Sequence, residues 1–241
     1  MANTQKTAIV TGASQGIGAA LAEAFLKRGY SVVANSRNIT KANPFPASAN
    51  LALVDGDIGD PKTAAKIADT AVSRFGRIDV LINNAGIFIP KPFTEYTTED
   101  FNALVSTTLA GFLYVSQLAV KQMLQQKSGS IVNVSTTLVD QPIAGVKAAV
   151  QIMIKGGLDA VTRALAIEYA KDSIRVNTVA LGVIKTPMHK PDADEFLKGL
   201  NPFGRLGEIK EVVDAVLFLT DATFTTGEIL NVDGGAHAGK W

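Results

Sequence analysis

Six short runs in which apolar residues follow one another without alternation constrain this 241-residue chain most strongly: Ala8–Val10, Ser31–Ala34, Leu51–Val54, Val80–Ile82, Ser130–Val134 and Ile174–Val179. Consecutive apolar residues mark strands buried on both faces, which arise in parallel sheets covered by helices. Between the runs lie stretches with a 3.6-residue apolar period: Ile17–Lys27, Pro61–Phe75, Thr98–Leu124, Ala148–Ala170 and Glu208–Leu219. Asp60 before Pro61 and Gly29 after Arg28 have the character of helix boundaries. The closing GEILNVD run, 227–233, can add a seventh strand. Asn43–Ala49 reads as a loop, and His189–Asn201 as a connector with one short helix. Neither has the composition of an interdomain linker, so one α/β domain over 1–241 is expected, a seven-stranded, mainly parallel sheet with helices on both faces.

A hydrophobic content of 47% supplies a large core and excludes a disordered chain. With 23 Lys+Arg against 22 Asp+Glu, the chain lacks the charge excess that grips nucleic acid or an anionic membrane. A small molecule is the expected partner. The absence of cysteine excludes a disulfide framework, a thiolate zinc site and a cysteine nucleophile, and His189 and His237 are not spaced as metal ligands, so no metal is expected. The polar stretch Met1–Lys6 and the lack of a long unbroken apolar run lead to the expectation of a soluble cytoplasmic protein.

The most informative local signal is Thr11-Gly12-Ala13-Ser14-Gln15-Gly16-Ile17-Gly18, which follows the first strand and opens the first helix. Gly12 permits the tight turn, Gly16 lets backbone N–H groups approach a pyrophosphate, and Gly18 allows helix and sheet to pack closely. The helix N-terminus favours the anion. A dinucleotide fits such a turn.

Together with Asn83-Asn84-Ala85-Gly86 after the fourth strand and Asp233-Gly234-Gly235 near the end, this TGxxxGxG turn makes the chain resemble the short-chain dehydrogenase/reductase family from Lys6 to about Gly235. The resemblance implies a doubly wound Rossmann fold and an oxidoreductase that moves hydride between a nicotinamide cofactor and a carbonyl compound. It also implies that Asp57 and Ile58 lie beside the adenine, that Asn84 and Gly86 border the cofactor cleft, and that Ile184 and Thr186 touch the nicotinamide carboxamide. Leu181-Gly182 stands where the family has Pro-Gly.

The end of the second strand bears on cofactor choice. NAD enzymes usually place an acid there for the ribose hydroxyls, whereas this chain has Ser36 followed by Arg37. An Arg fork pairs with a 2′-phosphate, and a charge-assisted hydrogen bond of about 1.5–3 kcal/mol corresponds to roughly 10- to 100-fold preference for NADP(H). Gln15 supplies no second basic anchor.

The reacting groups depart from the family pattern. Aligned on Thr162-Arg163-Ala164-Leu165-Ala166, the family lysine is Lys155 and the family tyrosine is Gln151. Thr136 takes the serine role, with Thr137 or Ser135 as alternatives because the loop to Gln151 is about two residues longer than usual. The family asparagine, which holds a water relay, aligns with Thr108. General acid catalysis contributes about 10²–10⁴-fold, whereas holding two reactants in register contributes about 7–11 kcal/mol, so most of the acceleration survives loss of the phenol. Gln151 and Lys155 share one helix face at i and i+4. The Gln151 amide and Thr136 hydroxyl can stabilise the developing alkoxide, with Lys155 as proton donor. Tyr96, His189 and Asp140 are other candidate donors, with Tyr96 also placed just before a helix cap.

The competing reading is a catalytically silent NADP(H)-binding protein in which Gln151 is a filler and cofactor occupancy controls assembly or a partner. Gly156-Gly157 inside the helix weakens it by about 1 kcal/mol per glycine unless close packing compensates. A helix-on-helix subunit contact would supply such packing, so a homotetramer or homodimer is expected, with the tail ending in Trp241 a further interface candidate. Met188, Phe196, Leu197 and Phe203 favour a mostly hydrophobic carbonyl substrate.

Overall fold

The computed structural model describes residues 5–187 and 194–240. Its seven strands are β1 (Thr7–Thr11), β2 (Ser31–Ser36), β3 (Leu51–Asp55), β4 (Val80–Asn83), β5 (Gly129–Thr136), β6 (Ile174–Leu181) and β7 (Ile229–Val232). They form one sheet in the order β3-β2-β1-β4-β5-β6-β7, and every pairing is parallel. Direction of travel reverses between β1 and β4, so a crevice opens beyond their carboxyl ends, where α/β sheets bind ligands.

The helices are α1 (Gly16–Lys27), α2 (Ile39–Ala42), α3 (Pro61–Phe75), α4 (Thr98–Leu104), α5 (Gly111–Gln126), α6 (Ala149–Tyr169), α7 (Asp194–Lys198) and α8 (Ile209–Asp221). Alternate strand residues feed two cores. On one face Val10, Val32 and Val132 meet Leu21 and Phe25 of α1 and Val216 of α8. On the other, Ile9, Val33 and Ile131 meet Ile67 of α3, Val115 of α5 and Ala166 of α6. The α3 boundary follows the expected chemistry: Pro61 occupies the first turn, the Asp60 carboxylate accepts from the Lys62 N–H, and Gly76 closes the helix at φ 81°.

The stretch expected as one helix from Thr98 is divided. A π-helical segment, Val105–Ala110, separates α4 from α5. Such a segment admits an extra residue into the helix and frequently lies at functional sites. Thr98–Gln126 is long and apolar enough to cross a membrane by length and composition, but in this fold Val115, Ala119 and Met123 are buried against the sheet as core. The connector contains its one short helix, α7, while residues 189–193 lie outside the described residues, as do residues 1–4, Met188 and Trp241.

Candidate active site

A cleft of about 1200 Å³ runs along the carboxyl ends of the strands. It is lined by every residue assigned to the cofactor from sequence: Gly12, Ser14, Gln15, Gly16, Ile17, Gly18, Ser36, Arg37, Asp57, Ile58, Asn84, Gly86, Lys155, Ile184 and Thr186. Thr136 and Gln151 line it as well.

Backbone proximity builds the phosphate end. A Cβ on Gly12 would fall 2.8 Å from Ala85 Cα, and one on Gly18 would fall 2.3 Å from the Gly12 carbonyl oxygen. Gly16 has φ +58°, a left-handed conformation that favours glycine, with nothing nearer than 3.7 Å to an added Cβ. Asn84 clamps this turn: its amide donates to the Thr11 and Gly12 carbonyls at 2.9 and 3.2 Å, and its N–H donates to the Thr11 hydroxyl at 3.1 Å. Asn83 points under the sheet, donating to Asn133 and Ser116. The first turn of α1 carries no acid, so the cradle suits an anion. At the far end, exposed Arg37 lines the cleft and makes no hydrogen bond or ion pair with any described residue. These features fit a phosphorylated dinucleotide.

At the reacting end, α6 packs on β5 and presents Gln151 and Lys155, which are 3% and 8% exposed. The Lys155 ammonium donates to the Val134 carbonyl at 2.5 Å and lies 3.8 Å from the position of a Cβ on Gly86. Burial pulls its pKa from the usual lysine value down to about 8, while the Asp159 carboxylate opposes the fall. The Gln151 Oε1 atom is buried without a partner among the described residues.

The three candidate hydroxyls differ. Thr136 is half-buried on the cleft, and its oxygen accepts a long 3.4 Å bond from the Leu138 N–H, leaving its proton available. Thr137 donates to the Leu181 carbonyl. Ser135 is buried, and its oxygen has no hydrogen-bond partner among the described residues. All three residues line the cleft, and Thr136 is the least buried of them.

Thr108 lies in the π segment, off the main cleft. Its hydroxyl has no hydrogen-bond partner among the described residues, and Thr108 lines a second cavity of about 10 Å³, close to the lower limit for one water. Lys155 lines both spaces.

The other donor candidates are placed elsewhere. Tyr96 donates to the Ile89 carbonyl at 2.6 Å beside the Thr97–Asp100 capping box, and does not line the cleft. Asp140 ends the short turn Thr137–Val139, away from the cleft lining. His189 lies outside the described residues. Phe196 and Leu197 line the cleft, but Phe203 does not; it is exposed and carries the Arg205 guanidinium 5.9 Å from its ring centre. The guanidinium over its face gives this exposed ring a charged partner at the surface. Ile87, Phe88, Ile143 and Val146 extend the apolar lining. Asp159, buried one turn beyond Lys155, is not among the residues singled out from sequence, although its i+4 spacing is the signal that finds it.

A Rossmann crevice with a glycine turn, a lysine and a hydroxyl at its reacting end defines the class of dinucleotide-binding oxidoreductases. The family model described as enoyl-(acyl carrier protein) reductase matches residues 12–237, and the chain belongs to the short-chain dehydrogenase/reductase family. It is 36% identical over 236 residues to a human 3-oxoacyl-[acyl-carrier-protein] reductase, covering 95% of this chain and 97% of that protein. The structure of ElxO with NADP bound superposes with a TM-score of 0.91 at 30% identity, covering 98% of this chain and all of the other. A 3-ketoacyl-(acyl-carrier-protein) reductase from Brucella melitensis, complexed with NADH, gives 0.89 at 29% identity over 96% and 98% of the two chains.

Proposed function

We propose that this chain is an NADPH-dependent oxidoreductase that reduces a carbonyl or C=N compound, with Thr136, Gln151 and Lys155 as its reacting set. The observation carrying this reading is that these three side chains open onto the same cleft as the glycine turn and Arg37. NADP(H) is the cofactor, in keeping with the NADP-bound relative, and the Arg37 guanidinium pairs with its 2′-phosphate. When bound, the reduced nicotinamide supplies the hydride.

The chain's own residues do the rest. Thr136 and the Gln151 amide N–H₂ hold the substrate oxygen or nitrogen and stabilise its developing charge. The Lys155 ammonium delivers the proton. A pKa near 8 leaves it largely protonated at neutral pH yet more acidic than an ordinary lysine. The amine is recharged through a water beside Thr108. Ile87, Phe88, Ile143, Val146, Phe196 and Leu197 select an apolar substrate and exclude water from it. The protein works as a homo-oligomer, supported by the exposed Leu113 of α5 and Met153 and Ile167 of α6.

The test is NADPH oxidation with a panel of ketones, diketones, quinones and imines. Turnover with at least one carbonyl or imine class is expected. Micromolar NADPH binding with no turnover across the panel would place the chain among silent dinucleotide-binding proteins.

A further inference from the structure

Asp159 has no part in the mechanism above. It is 3% exposed, and neither carboxylate oxygen has a hydrogen-bond partner among the described residues. An isolated buried carboxylate is costly, so its ionised form needs nearby compensation. It sits at the third position of a polar stripe, Gln151-Lys155-Asp159-Thr162, along the sheet-facing side of α6, where an ordinary amphipathic helix would be apolar. Gln151 and Lys155 reach the cleft; Asp159 lies one turn deeper and does not line it.

We infer that Asp159 is a positioning residue whose buried negative charge keeps Lys155 in its ammonium form, and so keeps the proton source loaded where the family phenol is missing. This rests on the reading of Lys155 as proton donor. In the step served, the carbonyl carbon accepts hydride from the reduced nicotinamide and the C=O π pair moves onto oxygen. That oxygen takes one proton from Lys155 Nζ, leaving a neutral amine that regains a proton from water. The carbonyl is reduced by two electrons and the dinucleotide oxidised by two.

Among the described residues, three charged side chains and one hydroxyl act on Asp159. Lys155 precedes Asp159 by one turn and Arg163 follows by one, both favouring the carboxylate; Asp140, on the turn after β5, disfavours it. The β5 side presents the Ser135 hydroxyl, which also favours ionisation but lacks the geometry of a formed hydrogen bond. Burial outweighs these influences and raises Asp159 to about 6, below the value near 8 for Lys155. Around neutral pH the two therefore coexist as carboxylate and ammonium.

The test is a pH titration of the cofactor-free protein carrying ¹³C-labelled lysine, with Lys155 assigned by its loss in Lys155→Met. Wild-type Lys155 is expected to titrate near 8 and to show a second, smaller inflection near 6 as Asp159 changes charge. In Asp159→Asn the main midpoint falls by about one pH unit or more and the lower inflection disappears. Asp159→Glu, which keeps the charge, restores part of the fall.

A Lys155 midpoint unmoved by Asp159→Asn, or a wild-type curve with no inflection near 6, overturns the inference; the second measurement needs no variant to fold. With a turned-over ketone, the alkaline limb of kcat moves down by the same interval in Asp159→Asn, while KM for NADPH changes little. Absence of turnover in the wild type would count against the proposed reaction, yet the lysine titration would still decide the coupling.

Discussion

The two ends of the cleft are built by different means. At the phosphate end, glycines bring backbone against backbone, and the spacing leaves almost no latitude: a single methyl on Gly18 would fall 2.3 Å from a carbonyl oxygen. At the reacting end, side chains border a larger space: Thr136, Gln151 and Lys155 line the cleft, and in the proposed reading Gln151 and Thr136 take over the tasks of the family tyrosine and serine. An anion cradle made of main chain constrains the fold itself, whereas a proton donor can be exchanged if another group takes over its task. Lys155 stands close to Gly86, just after β4, as well as lining the cleft with Thr136 and Gln151.

That contrast breaks most sharply at Lys155. Lys155→Met is expected to lower kcat by about 10²–10⁴-fold, the usual contribution of a positioned acid. Full turnover in this variant would move the proton source elsewhere. In the wild type the sign of the pH response follows from the lowered pKa. The ammonium predominates below about 8, so reduction should be level there and fall about tenfold per unit above it. Oxidation in the reverse direction needs the neutral amine and should rise through the same range.

Next in size is Gly18→Ala. The obstacle is backbone, so relief requires α1 to shift off the sheet; with overpacking of up to about 3 kcal/mol, NADPH affinity should drop by roughly 100-fold. Calorimetric titration reads this directly, and unchanged affinity in a folded variant would show that the turn does not form the pyrophosphate cradle. Arg37→Ala should reduce the ratio of NADPH to NADH affinity by about 10- to 100-fold, one charge-assisted hydrogen bond. A ratio that does not move would leave Arg37 a surface charge without a phosphate partner.

The same contrast explains what can be read from residues alone. Strands such as Leu51–Asp55 and the helix Pro61–Phe75 announce themselves, because apolar runs and the Asp60-Pro61 boundary are local signals. Gly12, Gly16 and Gly18 do so too, since only glycine fits their backbone. Other features depend on contacts distant in sequence. The π turn at Val105–Ala110 has no distinct apolar period, and it accompanies close packing of Gly59 on Ser106 and of Gly111 on Ile58. Assigning the serine role among Ser135, Thr136 and Thr137 requires knowing that Leu181 claims the Thr137 hydroxyl. Phe203 resembles a pocket residue in the sequence because hydrophobicity does not say which way a loop side chain turns.

The smallest expected effect sharpens the comparison beyond the single chain. Gly157 lies mid-helix and exposed, and among the described residues a Cβ there would meet Leu109 Cδ2, at 4.0 Å. Within one chain Gly157→Ala therefore has room, and helix propensity alone would stabilise α6 by about 1 kcal/mol. If the outer face of α6 packs against a second copy, as proposed, the added methyl meets that copy's helix instead. The expected outcome is a fall in Tm of about 2–4 °C for roughly 1 kcal/mol lost, with weakened association by light scattering. A rise in Tm with assembly unchanged would show that α6 faces solvent at this point. The glycine pair would then be a local cost to the helix, with no subunit contact offsetting it.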